Sequence, residues 1–378
     1  MLTRDESVRS DGAVRAFSDQ SPGPSAQRPI NKLAVSLLRL FVLFVSLYPL
    51  SGCYYLQAFT GQMEILSKRE PIERVIDRPA TAPELRSRLE YVAAARDFAS
   101  RELGLPDNKS YRSYADLGRP YVVWNVFATE EFSVQPKRWC FPVAGCVVYR
   151  GYFREQAAKR YAQRLHRRGY DTAIGAVPAY STLGHFDDPV LNTMLGWSDA
   201  QLAATLFHEL AHQVVYVPGD SDFNEGFATV VEEEGLERWL TARGAKAQLD
   251  AWRAQRARHR EFIDLLLRTR ERLKTLYASA LPADEMRSRK QYEFGLMKLE
   301  YERLKASWGG YSGYDGWFSR TLNNAHLVSA ATYHGCVPGL RRVLDLVGGD
   351  LEKFYARMKA IAGKEGASRR SELCRSES

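Results

Sequence analysis

His208 and His212 stand four residues apart, with Glu209 beside the first, in the run Thr205-Leu206-Phe207-His208-Glu209-Leu210-Ala211-His212. On a helix, four residues advance about 400°, so the two imidazoles lie about 40° apart and about 6 Å along the axis. Two such rings can grip one tetrahedral zinc ion. Glu209, one step round the helix, reaches a water on the open side of that ion, where a carboxylate acts as general base. The pattern is H-E-x-x-H. Seven histidines and 26 glutamates in 378 residues give an expectation of roughly 0.01 chance occurrences.

A catalytic zinc takes a third protein ligand and keeps a fourth place for water. No histidine follows closely, since His212 precedes Gln213-Val214-Val215-Tyr216. The candidate is Glu225, in Phe223-Asn224-Glu225-Gly226-Phe227-Ala228-Thr229. A turn at Pro218-Gly219 folds a second helix, capped by Ser221 or Asp222, back on the first and points Glu225 at the metal. The alternative is that Glu225 only closes a capping box with Asp222. Glu232, two turns further on the same face, could bind a substrate amine or hold the second ring nitrogen of a zinc-bound histidine. It could equally face solvent, like Glu233 and Glu234. Asp187-Asp188-Pro189 is another acidic candidate for the amine, or a plain helix-entry turn.

The elements that position these groups follow from local pattern. Ser198 with Gln201 opens the first helix as a capping box, and Leu202, Leu206, Leu210 and Val214 form its apolar stripe. The chain is mainly helical from Asp199 on. Glu237–Ala280 reads as one long amphipathic helix, broken at Pro282 and resumed over Glu285–Lys305, a scaffold hairpin. Asn323–Tyr333 and Leu340–Ile361 read as two more helices. Upstream, Glu84–Leu103 and Gln156–Arg168 have helical spacing, whereas Tyr121–Ala128 is rich in β-branched and aromatic residues and reads as a strand. A second short strand falls near Cys146–Tyr149. Asn125-Val126-Phe127-Ala128 could pair with an extended peptide by strand addition, or be an ordinary sheet strand. The fold class is therefore α+β and mainly helical, with a small β-containing N-terminal lobe and a long helical hairpin.

Near the N-terminus Arg28, Lys32 and Arg39 precede Leu40–Leu50, eleven largely apolar residues. That is too short for a bilayer core of roughly 30 Å but suits the apolar region of a secretion signal. The run ends in Leu50-Ser51-Gly52-Cys53, which resembles a bacterial lipobox. The resemblance implies cleavage before Cys53 and lipidation of that cysteine. Tyr54 follows, not an acidic residue, which resembles the sorting pattern of the outer membrane rather than the inner one. The expected organisation is a leader over 1–52 and a metal-binding domain over 53–378. Within that domain, 53–197 form the β-containing lobe, 198–235 the two zinc helices, 236–306 the hairpin and 307–378 the C-terminal helices.

Removal of the leader takes six Lys/Arg and four Asp/Glu, which lowers the net charge from +8 to +6. The positive charge is spread over helical faces, and no zinc finger, helix-turn-helix or ribonucleoprotein pattern occurs, so nucleic acid is not an expected partner. With Cys53 assigned to lipid, four cysteines remain for an oxidising compartment. Cys140 and Cys146 flank a turn-rich segment and can close a hairpin, leaving Cys336 with Cys374. Four cysteines allow three connectivities, and spacing alone does not choose among them.

Asn-Glu-x-x-Ala after H-E-x-x-H resembles the gluzincins, in which that Glu is the third zinc ligand. The resemblance is closer to the bacterial putative aminopeptidase lipoproteins of the envelope, and it spans most of the chain after Cys53. It is carried by Tyr54-Tyr55-Leu56-Gln57-Ala58-Phe59-Thr60-Gly61-Gln62, Trp139-Cys140-Phe141-Pro142-Val143-Ala144-Gly145-Cys146, Tyr149-Arg150-Gly151-Tyr152-Phe153 and Ala179-Tyr180-Ser181-Thr182-Leu183-Gly184. Asn323-Asn324-Ala325, Thr332-Tyr333 and Val337-Pro338 complete it, while His185 departs from the tryptophan usual there. The resemblance implies a zincin-like fold and a zinc aminopeptidase, with one Zn2+ on His208, His212 and Glu225, Glu209 as general base and a peptide substrate. It also implies a tyrosine or histidine that stabilises the oxyanion, for which Tyr333, His334 and Tyr314 are candidates by position. The place implied is a lipid-anchored site on the outer membrane, facing the periplasm.

Overall fold

Side chains of Ser198, Asp220 and Asp350 cap the starts of helices, and left-handed glycines such as Gly244 and Gly348 follow helix ends. The computed structural model describes residues 49–141, 145–331 and 336–374. The chain divides into two units, Met1–Tyr54 and Tyr55–Ser378. Of the first, only the opening turn of a helix is described. The elements in order are α1 (Pro49–Ser67), β1 (Glu70–Pro71), α2 (Ile72–Asp77), α3 (Pro83–Arg101), β2 (Ser113–Ala115), β3 (Val123–Glu130), β4 (Trp139–Phe141), β5 (Gly145–Val147), β6 (Arg150–Tyr152), α4 (Glu155–His166), β7 (Tyr170–Val177) and β8 (Val190–Leu191). Then come α5 (Asp199–Ala211), α6 (Ser221–Ala242), α7 (Lys246–Tyr277), α8 (Ala283–Ser307), α9 (Asp315–Phe318), α10 (Asn324–Ala331), α11 (Val337–Leu346), α12 (Leu351–Ala362) and α13 (Gly366–Leu373). The protein is α+β and mainly helical. No helix among the described residues is long and apolar enough to cross a membrane.

Three small sheets make the β-containing lobe. β2 is flanked by β1, antiparallel, and by β8, parallel, with Tyr114 opposite both Glu70 and Val190. β3 lies between β6 and β7, antiparallel to each. β4 and β5 form a hairpin in which Cys140 faces Cys146, and the two are disulfide-bonded. Strand addition at Asn125–Ala128 is excluded by this order. Asn125 and Val126 are paired on both sides, to Gly151 and Arg150 of β6 and to Gly175 and Ile174 of β7. Ala128 is paired to Thr172 while its carbonyl accepts from the Lys137 amide at 2.8 Å.

The main core gathers α3, α5, α6 and the C-terminal helices around Phe98, Phe207, Phe227, Trp239 and Phe354. α7 and α8 have their own core, built from Phe262, Leu265, Leu266, Leu273, Phe294 and Met297. The long helix expected from Glu237 is two helices. The chain breaks at Gly244, whose φ of +63° is a left-handed conformation that glycine adopts without a Cβ clash. α6 accordingly runs on to Ala242, beyond the expected limit at 235. The single helix expected over Leu340–Ile361 also divides, at Gly348-Gly349, where both φ values are positive.

Candidate metal centre

α5 begins where the capping box predicts, with the Gln201 amide donating to Ser198 Oγ at 3.2 Å. It ends at Ala211 with His212 as its cap. α6 packs closely along it, because Gly235 has no side chain. A Cβ there would come within 2.7 Å of Leu103 Cδ1 and 3.0 Å of Phe207. The cap of α6 is neither Ser221 nor Asp222 but Asp220, whose carboxylate accepts from the Phe223 amide at 3.3 Å. Glu225 is therefore not the capping-box partner of Asp222.

Two further anchors set the start of α6. Asn224 is buried, and its amide group brackets Val217 of the connecting turn, accepting from Val217 N and donating to Val217 O at 2.8 Å each. Arg369 of α13 reaches back to Asp220 with two nitrogens, at 2.9 and 2.8 Å. Both members of that pair are buried. Cys374, at the end of α13, is bonded to Cys336 at the start of α11.

These constraints bring His208, His212 and Glu225 together, with one potential ligand atom from each within 4.8 Å of the others. His208 Nε2 lies 3.3 Å from one Glu225 oxygen, and His212 Nε2 lies 3.8 Å from the other. His208 Nδ1 is 2.9 Å from Glu232. With that nitrogen donating to Glu232, Nε2 presents a lone pair to a carboxylate. Such a contact is repulsive unless a cation sits between them, so the donor set fits a metal ion.

The electrostatics point the same way. Burial pushes the His208 pKa down, but the Glu225 and Glu232 carboxylates outweigh it and hold it well above the usual imidazole range. A proton there plays the part a metal cation would take. Burial and the neighbouring His208 push His212 down to about 4, leaving it neutral with a lone pair to give. Glu232 is also buried, yet it is held below the usual carboxylate range by its hydrogen bond with His208 and by the charges of His208, Arg256 and His259.

Glu209 is enclosed. Burial raises its pKa to about 7, with His208 opposing and Glu225 reinforcing the shift. The hydroxyl of Ser181, which donates to Asp188 at 3.4 Å, lies close enough to favour the ionised form of Glu209. Tyr111 is buried close by, with its backbone held at φ 62°.

A model of the family described as "Putative aminopeptidase" matches residues 53–373. The chain belongs to this family. No curated protein and no solved structure matches it. Membership of the putative aminopeptidases suggests a peptidase, and the group formed by His208, His212 and Glu225 is one that could hold a metal.

Other nominated residues fall elsewhere in this family member. Asp188 is buried and pins its own loop, accepting from the Thr182 amide at 2.8 Å and the Thr182 hydroxyl at 2.8 and 3.0 Å. Its carboxylate is thereby engaged within its own loop, and its charge reinforces the raised pKa of Glu209. Tyr314 is 3.2 Å from His259 Nδ1 and stacks on Phe262 at 4.0 Å. Tyr333 and His334 lie outside the described residues, as does the side chain of Cys53.

Several contributors have no signature at the level of spacing. Asn224 is marked only by its place beside Glu225. Ser181 sits in a motif the sequence singles out, but its influence on Glu209 arises only in the folded chain. Tyr216, four residues after His212, meets that imidazole edge-on at 6.2 Å. Burial and Glu225 together raise its phenol pKa.

Proposed function

We propose that this protein is a zinc-dependent peptidase, most directly an aminopeptidase, anchored at the bacterial envelope through a lipidated Cys53. The observation that carries this reading is the convergence of two imidazoles and a carboxylate beside a second, enclosed carboxylate. His208, His212 and Glu225 would hold the zinc. When bound there, zinc supplies Lewis acidity toward a scissile carbonyl and an attacking water.

Glu209 takes the proton of that water and delivers it to the leaving amine. Its raised pKa suits both duties near neutral pH. Glu232 holds His208 by Nδ1, so that Nε2 stays aimed at Glu225. The family match supports peptide as substrate. The lipobox supports a lipid anchor on the outer membrane, facing the periplasm. Two disulfides accord with an oxidising compartment.

Both acidic groups nominated for a substrate amine are engaged, Glu232 with His208 and Asp188 with Thr182. Exopeptidase action therefore needs a direct test. Purified protein is incubated with matched free and N-acetylated peptides, with zinc measured by elemental analysis. One zinc per chain and cleavage of free peptides alone are expected. Cleavage of blocked peptides would make it an endopeptidase, and a folded protein without stoichiometric zinc would overturn the metal assignment.

A further inference from the structure

Ten large hydrophobic side chains are exposed among the described residues, and four of them, Tyr55, Leu56, Phe59 and Met63, lie on one stretch of α1. Leu56 is 62% and Phe59 63% exposed. At about 100° per residue these four fall within an arc of about 100°, and Gln57, Gly61 and Ile65 fall on the opposite arc. That opposite arc is already engaged. Ile65 is buried in the main core. A Cβ at Gly61 would overlap the Phe153 ring. The Gln57 side chain accepts from the Phe153 amide at 3.1 Å and donates to the Gly151 carbonyl at 3.4 Å. α1 is thus locked to the β-containing lobe along one side and cannot roll to bury the other.

A helix that is apolar on both sides is ordinarily covered on both. Residues 54–63 contain no charged side chain, and the next residue, Glu64, is turned to Arg119 at 2.8 Å. Exposed hydrophobics scattered singly need no explanation, whereas a contiguous patch marks a surface that meets a partner or a membrane. Position decides between these. The stripe opens two residues after Cys53, the proposed site of the lipid, on the same helix. Acyl chains on Cys53 would hold this end of α1 at a bilayer. A charge-free stripe of Tyr, Leu, Phe and Met suits the boundary between headgroups and acyl chains, where a helix lies in the plane with its apolar face buried about 5–10 Å.

We propose that the face formed by Tyr55, Leu56, Phe59 and Met63 rests on the lipid bilayer, so that α1 runs along the membrane surface. Because Gln57, Gly61 and Ile65 fasten α1 to the rest of the fold, the protein would be held at a fixed attitude to the membrane instead of swinging on a tether. The choice of lipid as occupant rests on the reading of Cys53 as the anchor, whereas the exposed stripe itself does not.

The test is the depth of single probes. The full chain, residues 1–52 included, is expressed in a bacterium, and the recovered protein is reconstituted in vesicles of one part phosphatidylglycerol to three parts phosphatidylcholine. Tyr55→Cys, Phe59→Cys and Met63→Cys each carry a nitrobenzoxadiazole probe. Ser279→Cys, at an exposed position just past α7, is the aqueous reference, and the unsubstituted chain is labelled in parallel to subtract any signal from Cys53. All three helix positions are exposed, so the variants should fold. Quenching by doxyl-labelled phosphatidylcholine is expected at 55, 59 and 63 to within about twofold of one another, since a helix in the interface plane holds its apolar face at one depth. None is expected at 279. A helix standing on its anchor would lift Met63 about 12 Å beyond Tyr55, and quenching that falls off from 55 to 63 would overturn the proposal. So would aqueous emission at all three, or blue-shifted emission without lipid quenching, the mark of a second copy of the chain covering the stripe. Mass spectrometry of the N-terminal peptide reads the anchor separately. Lipid on Cys53 with graded or absent quenching removes this inference alone. An unmodified Cys53 with uniform quenching removes the anchor and leaves the face on the membrane.

Discussion

The paired helices α5 and α6 and the hairpin of α7 and α8 use the same secondary structure to opposite ends. In the first pair the decisive polar contacts join distant parts of the chain. Glu232 meets His208, Asn224 brackets Val217, and Arg369 pairs with Asp220 across 149 residues of sequence. In the hairpin many polar contacts run along one helix, such as Arg289 with Glu285 and Lys246 with Asp250, or between the two helices, such as Arg272 with Glu293. Its apolar stripe gives it a core of its own, and a few long-range ties, such as Lys290 to Asp171 at 2.6 Å and Tyr277 to Asn324 at 2.8 Å, dock it on its neighbours. A site must hold its groups to within about half an ångström, and local pairs cannot impose that. Long-range partners can, because each links a ligand helix to a separately packed element.

The contrast can be broken most sharply at Glu209, the proposed general base. Glu209→Gln should lower kcat by about 10²–10⁴-fold with zinc content unchanged, and full turnover would remove the assignment. Next, Asp220→Ala leaves Arg369 buried without its partner. A loss of roughly 3–5 kcal/mol in denaturant unfolding is expected, with weakened metal retention because the start of α6 loosens. Glu232→Ala should weaken zinc affinity by about 10–100-fold in chelator competition, while Glu233→Ala leaves it closer to wild type.

A pH series on the metal-free protein sharpens the comparison further. Burial raises the Glu209 pKa from 4.5 to about 7. Between those values the folded state binds more protons than the unfolded one, so this contribution is present below about 4.5 and is lost as pH rises through about 7. Denaturation midpoints followed from pH 5 to 8 should fall for this reason, and Glu209→Gln should flatten that part of the slope. The smallest effect belongs to the hairpin. Arg289→Ala removes an exposed pair four residues apart and should cost no more than about 0.5 kcal/mol. A larger loss there would erase the distinction between the two regions.

What was legible in the sequence was local. His208, Glu209 and His212 declare themselves by spacing, and Ser198 by its partner three residues on. Glu225 and Glu232 follow once the second helix is known to fold back. The cap of that helix was ambiguous because Asp220, Ser221 and Asp222 are consecutive and each is a good N-cap residue. The central place of β3 was hidden because its neighbours β6 and β7 are separated from it in sequence, and composition does not distinguish edge from centre. Asp188 looked like free acidity because burial is a property of the assembled loop. The division at Gly244 was masked by helical periodicity that continues on both sides.

The ion pair between Asp220 and Arg369 also has a bearing on timing. A chain emerging from its N-terminus exposes the two histidines long before Arg369 is available, and Cys374 must find Cys336 to close the last 38-residue loop. The metal-facing helix thus gains its final brace only when almost the whole polypeptide has been delivered. Hydrolytic competence would be withheld from the nascent chain and conferred at the end of its assembly.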